Sequence, residues 1–187
     1  MQIRPATASD LDRLTEIDGT IESTEYLHLE KSGESLSRSW KLEQRPLRSK
    51  LIQPNAMDDD QRFAIKQIIA GIEDGMAMVV ELGDNPVAMV AAQLLPERGT
   101  LHVVDVRVDY DYRRQGMATV LMYQIVQAAR ERELRAVSVE TRTNNLPANR
   151  LFQKLAFEIT GIDTHRHSNH DMVKESATIF WYAQLDQ

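Results

Sequence analysis

Residues 101–132 read LHVVDVRVDYDYRRQGMATVLMYQIVQAARER, and three kinds of segment follow one another without a break. Val103, Val104, Val106 and Val108 form a β-branched run with Asp105 and Arg107 interleaved, which predicts a half-buried strand. Met117, Leu121, Ile125 and Ala128 recur at spacings of four, four and three, so they share one face of a helix, and Val120 and Ala129 widen the stripe. Between strand and helix lies Arg113-Arg114-Gln115-Gly116-Met117-Ala118. The first turn of a helix has backbone N–H groups without an intrahelical acceptor, at the positive end of the helix dipole. Small residues let an anion approach that backbone, and two arginines add charged donors. The loop therefore suits a phosphate or pyrophosphate.

The loop lacks both the lysine-bearing pattern G-x-x-x-x-G-K-[ST] and the dinucleotide fingerprint G-x-G-x-x-G. Arg-x-x-Gly-x-Ala after a valine-rich strand resembles the coenzyme A pyrophosphate loop of the GNAT acetyltransferases, whose pattern is (Arg/Gln)-x-x-Gly-x-(Gly/Ala). A plain turn carrying surface arginines is the alternative. A second stretch, Asn144 to Phe157, supports the resemblance. Asn145 can cap a helix entered through Pro147, and Ala148, Leu151, Phe152 and Leu155 then share a face. The family pattern here is Asn-x-x-Ala-x-x-(Leu/Phe)-Tyr-x-Lys-x-Gly-Phe, with Asn145 at its asparagine and Phe157 at its closing phenylalanine.

Composition narrows the class. The 187 residues are 42% hydrophobic and 27% charged, which suits one soluble globular domain spanning 1–187. There is no cysteine, hence no disulfide, thiol nucleophile or Cys-based metal site, and a cytoplasmic setting is expected. A net charge of −6 argues against nucleic acid as a partner. Val87 to Leu95 is too short to span a membrane, and Met1 leads straight into a strand-like segment, so neither membrane nor signal peptide is expected.

In chain order, Gln2 to Ala6 reads as an edge strand and Ser9, with Asp12, as the cap of a helix carrying Leu11, Leu14 and Ile17. Residues 19–60 predict one or two helices, with Ser35 to Ile52 broken at Pro46. Asp58-Asp59-Asp60 precedes a helical pattern that Gly75 can end. Met76 to Leu82 and Val87 to Leu95 read as strands joined by a turn, and Ala136 to Thr141 as another strand. His165, His167 and His170 are not at helical i, i+4 spacing and lack a convergent carboxylate, so no metal is expected. Ala177 to Tyr182 closes the chain as a strand, and its Trp-Tyr ending is similar to streptothricin-type acetyltransferases.

The resemblance implies an α/β (α+β) fold: one mixed, mostly antiparallel sheet of about seven strands with helices on both faces. It implies acetyl transfer from acetyl-CoA to a primary amine of a small molecule, an amine antibiotic included, by direct attack in a ternary complex. A protein or peptide acetyltransferase and a non-catalytic acyl-CoA sensor are the rivals. A homodimer is common in the family. The cofactor residues it implies are Val106, Arg107 and Val108 on the strand, Arg113, Arg114, Gln115, Gly116, Met117, Ala118 and Thr119 in the loop, and Asn145 and Phe152. Phe152 departs from the family's tyrosine and cannot donate a proton. Asp105 is the expected base, unless Arg107 holds it as a structural acid; Glu81 and Glu140 are rivals, and Tyr182 could supply a hydroxyl. Tyr26, Trp40 and Glu81 are expected on the acceptor side, Tyr26 and Trp40 equally able to fill core.

Overall fold

A computed structural model of the chain describes residues 1–185. In chain order the elements are β1 (Gln2–Pro5), α1 (Leu11–Thr15), β2 (Ile21–Glu34), β3 (Ser37–Gln53), α2 (Asp59–Ile69), β4 (Gly75–Leu82), β5 (Asn85–Leu95), β6 (Thr100–Val108), α3 (Met117–Glu131), β7 (Ala136–Arg142), α4 (Leu146–Lys154), β8 (Glu158–Asp163) and β9 (Thr178–Gln184). Seven strands join in the order β1-β4-β5-β6-β7-β9-β8, and β2 and β3 form a separate two-stranded sheet. The sheet is mixed: β1, β4, β5 and β6 pair antiparallel, and β6 pairs parallel with β7.

The chain divides into two compact units. The first holds Met1–Thr20, Pro54–Val139 and the C-terminal residues from Tyr182. Here α1, the bend after it and α2 bury Leu14, Ile17, Ile65 and Ile68 against Ala77 and Val79 of β4 and Met89 and Ala91 of β5. Alternate strand residues such as Val80, Ala88 and Val90 are buried too, so both faces of these strands are covered. The helix α3 packs on β4, β5 and β6 through Met117, Leu121, Met122, Ile125 and Ala129, close to the stripe read from the sequence. Asp58 caps α2 and forms a capping box with Gln61. The helix ends at Ile69, ahead of Gly71 at φ 70°, so Gly75 starts β4 instead of closing the helix. Near the N-terminus the cap is Thr7 with Asp10, not Ser9 with Asp12. Asp10 accepts from the Thr7 backbone and hydroxyl and from both terminal nitrogens of Arg4 at 2.8 Å, which draws the first turn two residues forward.

The second unit holds Ile21–Gln53 and Glu140–Trp181. Its largest feature corrects the sequence reading: residues 21–53 form an antiparallel ribbon, not helices. Leu29 pairs with Leu42, Lys31 with Trp40 and Tyr26 with Arg45, so cross-strand partners settle the conformation of a segment rich in helix-tolerant Lys, Glu and Arg. The turn places Ser35 and Leu36 at the tip. Gly33 sits at φ 87°, where an added Cβ would lie 2.0 Å from the Ser37 carbonyl, so only glycine fits. Pro46 stands opposite Glu25, where the register shifts between Ser23 and Glu25, and its missing N–H is tolerated at that irregularity. Among the described residues no helix is long and apolar enough to cross a membrane.

Candidate active site

The loop that the sequence singled out runs from the end of β6 into α3. The parallel register of β6 with β7 extends from Thr100↔Ala136 to Val103↔Val139, while β6 itself continues to Val108. Backbone groups of Val106, Arg107 and Val108 thus lie beyond that register. After Val108 the chain makes a short turn: the Asp109 carboxylate accepts from the N–H groups of Asp111 and Asp18, each at 3.2 Å. Arg113 folds back, its Nε donating to the Val108 carbonyl at 3.1 Å and its guanidinium lying 5.1 Å from the centre of the Tyr110 ring.

Arg114 (φ 61°) and Gly116 (φ 82°) both adopt the left-handed conformation. Such alternation of backbone handedness turns successive N–H groups toward one side, a concavity that suits anions. Arg114, Gln115 and Gly116 are exposed, and a Cβ added to Gly116 would meet nothing within 4 Å. The helix begins at Met117 with no capping side chain and no acidic residue in its first turn, and its first backbone bond is from Val120 to the Gly116 carbonyl. The N–H groups of Met117, Ala118 and Thr119 precede that bond. An open, uncapped and acid-free helix start beside two arginines fits a pyrophosphate.

Asp105 and Arg107 lie on the face of β6 turned toward α2. They stand opposite Ala91 and Met89, and the register shift between Ala91 and Ala92 leaves Val104 as the extra residue of a bulge. The Asp105 carboxylate accepts from Arg107 Nε at 2.6 Å, with 8% and 3% of the two residues exposed. Burial pushes the Asp105 carboxyl above its ordinary range, against the pull of the Arg107 guanidinium. Arg107 also donates to the Asn55 carbonyl at 3.1 Å, and among the described residues its second terminal nitrogen is buried without a partner.

The remaining candidates of this unit are spread out. Glu81, on β4, binds Arg4 at 3.1 Å, which holds its carboxyl below the ordinary range. Tyr182, on β9, accepts from Arg135 at 2.7 Å, and the same guanidinium lies 5.6 Å from the centre of its ring.

In the second unit Asn145 caps α4, its side-chain oxygen accepting from the Ala148 N–H at 3.3 Å, and Pro147 occupies the first turn. Phe152 is only 1% exposed, 5.3 Å from the Phe157 ring and 6.3 Å from the Trp181 ring, so it is a core residue of this unit. Trp181 donates to the Thr141 hydroxyl and to the Asn149 side-chain oxygen Oδ1. Glu140 accepts from Arg166 at 2.9 Å.

Tyr26 and Trp40 are not neighbours. Trp40 is 44% exposed far along the ribbon, under Lys31. Tyr26 borders a cleft of about 230 Å3 lined by Tyr26, His28, Leu29, Thr143, Met172 and Glu175, among others. Its hydroxyl shares a 2.7 Å hydrogen bond with His28 Nδ1, and burial, aided by the Glu175 carboxylate, pushes that hydroxyl's pKa up. His28 and Glu175 escaped the sequence reading. The i, i+2 spacing of Tyr26 and His28 marks one face of a strand, and becomes a signal only once residues 21–34 are read as β. His165, His167 and His170 are exposed, and among the described residues no group of three or more His, Cys, Asp or Glu is placed to hold a metal ion.

Against known proteins, residues 38–157 match the sequence model of the acetyltransferase (GNAT) family. Streptothricin acetyltransferase A of Bacillus subtilis (strain 168) is 34% identical over 80 residues, covering 43% of this chain and 46% of that protein. The chain thus matches about half the length of that curated relative. Among solved structures, a candidate streptothricin acetyltransferase of Bacillus anthracis str. Ames, in complex with acetyl coenzyme A, superposes with TM-score 0.76 at 22% identity, covering 99% of this chain and 97% of the other. Nourseothricin acetyltransferase superposes with TM-score 0.79 at 19% identity, covering 99% and 98%. These two likenesses carry the fold, and the family match takes in well over half of the residues. The chain belongs to the acetyltransferase (GNAT) family.

Proposed function

We propose that the protein is an acetyl-CoA-dependent N-acetyltransferase whose acceptor is a primary amine of a small molecule, and that residues 1–187 work as one acetyltransferase domain in the cytoplasm. The observation that carries this reading is the start of α3: left-handed Arg114 and Gly116, no capping side chain and no acidic residue in the first turn. It is supported by the family match and by the acetyl-CoA-bound structural relative. The streptothricin acetyltransferase relative favours an amine antibiotic as the acceptor.

Acetyl-CoA supplies the acyl group and a thiolate leaving group. In this reading the N–H groups of Arg114 to Thr119 hold the pyrophosphate, and the β6 backbone at Val106, Arg107 and Val108 orients the acyl arm. By the family pattern Asn145 binds the pantetheine region, and the buried Phe152 supports it from the core.

The acceptor must be neutral to attack. With an alkylamine pKa of about 10.4, roughly one molecule in a thousand is neutral at pH 7, so a base contributes several kcal/mol. Asp105 is the base carried forward, since burial raises its proton affinity. Tyr182 carries a hydroxyl that accepts from Arg135, but the same guanidinium binds the Arg98 carbonyl ahead of Thr100, at the other end of β6 from Val106 to Val108, so the departing thiolate takes its proton from water.

Thiol release from acetyl-CoA tests the reading, with streptothricin, polyamines, amino acids and a lysine peptide as acceptors and acetyl-CoA binding followed by calorimetry. Turnover with a small amine is expected. Turnover with the peptide alone would move the function to a protein acceptor, and tight binding without turnover would make the protein a sensor. If Asp105 is the base, Asp105→Asn lowers kcat while acetyl-CoA affinity holds; if kcat survives and only stability falls, Asp105 belongs to the fold.

A further inference from the structure

The cleft beside Tyr26 holds an ion pair of unequal halves. Arg48 Nε donates to the Glu175 carboxylate at 2.8 Å, but the Glu175 side chain is 12% exposed and that of Arg48 is 70% exposed. The carboxylate is largely covered, and its partner guanidinium reaches it from the solvent side. A guanidinium so exposed gains little from the pair and exchanges readily.

The backbone of Glu175 closes the turn before it, the Ser176 N–H reaching back to the Asp171 carbonyl at 2.9 Å. It lies at φ 56°, a left-handed region that glycine and asparagine enter easily and glutamate does not. The Thr143 hydroxyl donates to the Glu175 carbonyl at 3.0 Å, and the Glu175 N–H donates to the Met172 carbonyl at 3.2 Å. Arg48 donates to the neighbouring Val173 carbonyl as well. These bonds hold the Glu175 side chain at the side of the cleft. The Tyr26 ring gives the same cleft an aromatic wall, a surface that attracts cations.

We propose that this cleft is the cation subsite for the acceptor. The Glu175 carboxylate binds a positively charged group of a polycationic amine, and Arg48 occupies that position until the acceptor displaces it. The inference rests on the acetyltransferase reading above. The nitrogen that reacts must have lost its proton, so the group bound at Glu175 is a second cation of the acceptor and not the reacting amine. The subsite therefore selects acceptors with two or more amino or guanidino groups over monoamines.

The test is steady-state thiol release with streptothricin, spermidine and butylamine for wild type, Glu175→Gln, Glu175→Asn and Arg48→Ala. Both Glu175 variants are expected to raise KM for streptothricin and spermidine about tenfold, the scale of one charge-assisted contact. Under the same conditions kcat, KM for acetyl-CoA and KM for butylamine stay within twofold. Asparagine accepts the left-handed backbone, so Glu175→Asn keeps the fold if the glutamine variant does not. Arg48→Ala is expected to lower KM for the two polycations. An unchanged KM in the Glu175 variants, an equal rise for butylamine, or an unchanged or higher polycation KM in Arg48→Ala overturns the proposal. If wild type releases no thiol with any amine, the acetyltransferase reading fails, and calorimetry with spermidine decides the subsite alone: weaker binding in Glu175→Asn supports it, while equal binding or none overturns it.

Discussion

Replacing Arg107 with methionine should cost the protein a large part of its stability, by an amount that depends on pH. The side chain is 3% exposed, its Nε lies 2.6 Å from the Asp105 carboxylate, and its Nη1 donates to the Asn55 carbonyl. Methionine fills much of the same volume but leaves a buried carboxylate with no cation. Breaking one side of a buried pair costs about 3–5 kcal/mol. For a chain of this length that is a fall in Tm of roughly 6–20 °C.

The sign with pH follows from Asp105, whose carboxyl is already raised by burial and lowered by Arg107. Without Arg107 the folded-state pKa climbs further above the unfolded value. The native state then holds a proton that the unfolded chain releases, so the variant loses stability as pH rises from about 4 through the raised pKa. Urea unfolding at pH 4.5 and 7.5 should show a deficit that is large at the higher pH and shrinks at the lower. The double change Asp105→Leu with Arg107→Met should recover most of the loss, because an apolar pair of similar volume replaces a buried ion pair at little net cost. A deficit under about 1 kcal/mol, or one equal at both pH values, would falsify the claim that Arg107 chiefly neutralises Asp105.

Two further outcomes are expected. Gly116→Val should weaken acetyl-CoA binding by about tenfold in calorimetry, since a β-branched residue at φ 82° costs about 1–2 kcal/mol; Gly116→Asn, which tolerates that region, should bind within a few-fold of wild type, and equal losses would refute the conformational argument. Phe152→Tyr should lower stability by about 1–3 kcal/mol, because the new hydroxyl enters a packed site between Phe157 and Trp181, and should leave kcat unchanged; a rise in kcat would show that this side chain reaches the departing sulfur.

The sequence was most legible where structure is local. The β6 strand, the glycine turn and the apolar stripe of α3 are close neighbours in the chain, and their conformations follow from propensity, helix periodicity and the chemistry of a helix start. The same holds for α4, where Asn145 caps the helix and Pro147 opens it. These segments also carry the motifs that identified the family.

Residues 21–53 were misread because their signal is not local. Leu29 meets Leu42 and Tyr26 meets Arg45 only when two strands align, and neither partner announces the other along the chain. The buried side chains were half legible: Asp105 and Arg107 are two residues apart on one strand face, so their pairing could be listed as an alternative. Its burial could not, because burial depends on Asn55 and on α2 packing above them. Glu175 carries no sequence signal of use. Its left-handed backbone, its hidden carboxylate and its exposed Arg48 partner, 127 residues away, arise from the tertiary fold. The sequence by itself determined the glycine turn that opens α3 and the helices α3 and α4, because short-range sterics and hydrogen bonding suffice there. Only the tertiary structure decided which charges are buried and which cation faces which carboxylate, because desolvation and long-range pairing are properties of the packed chain.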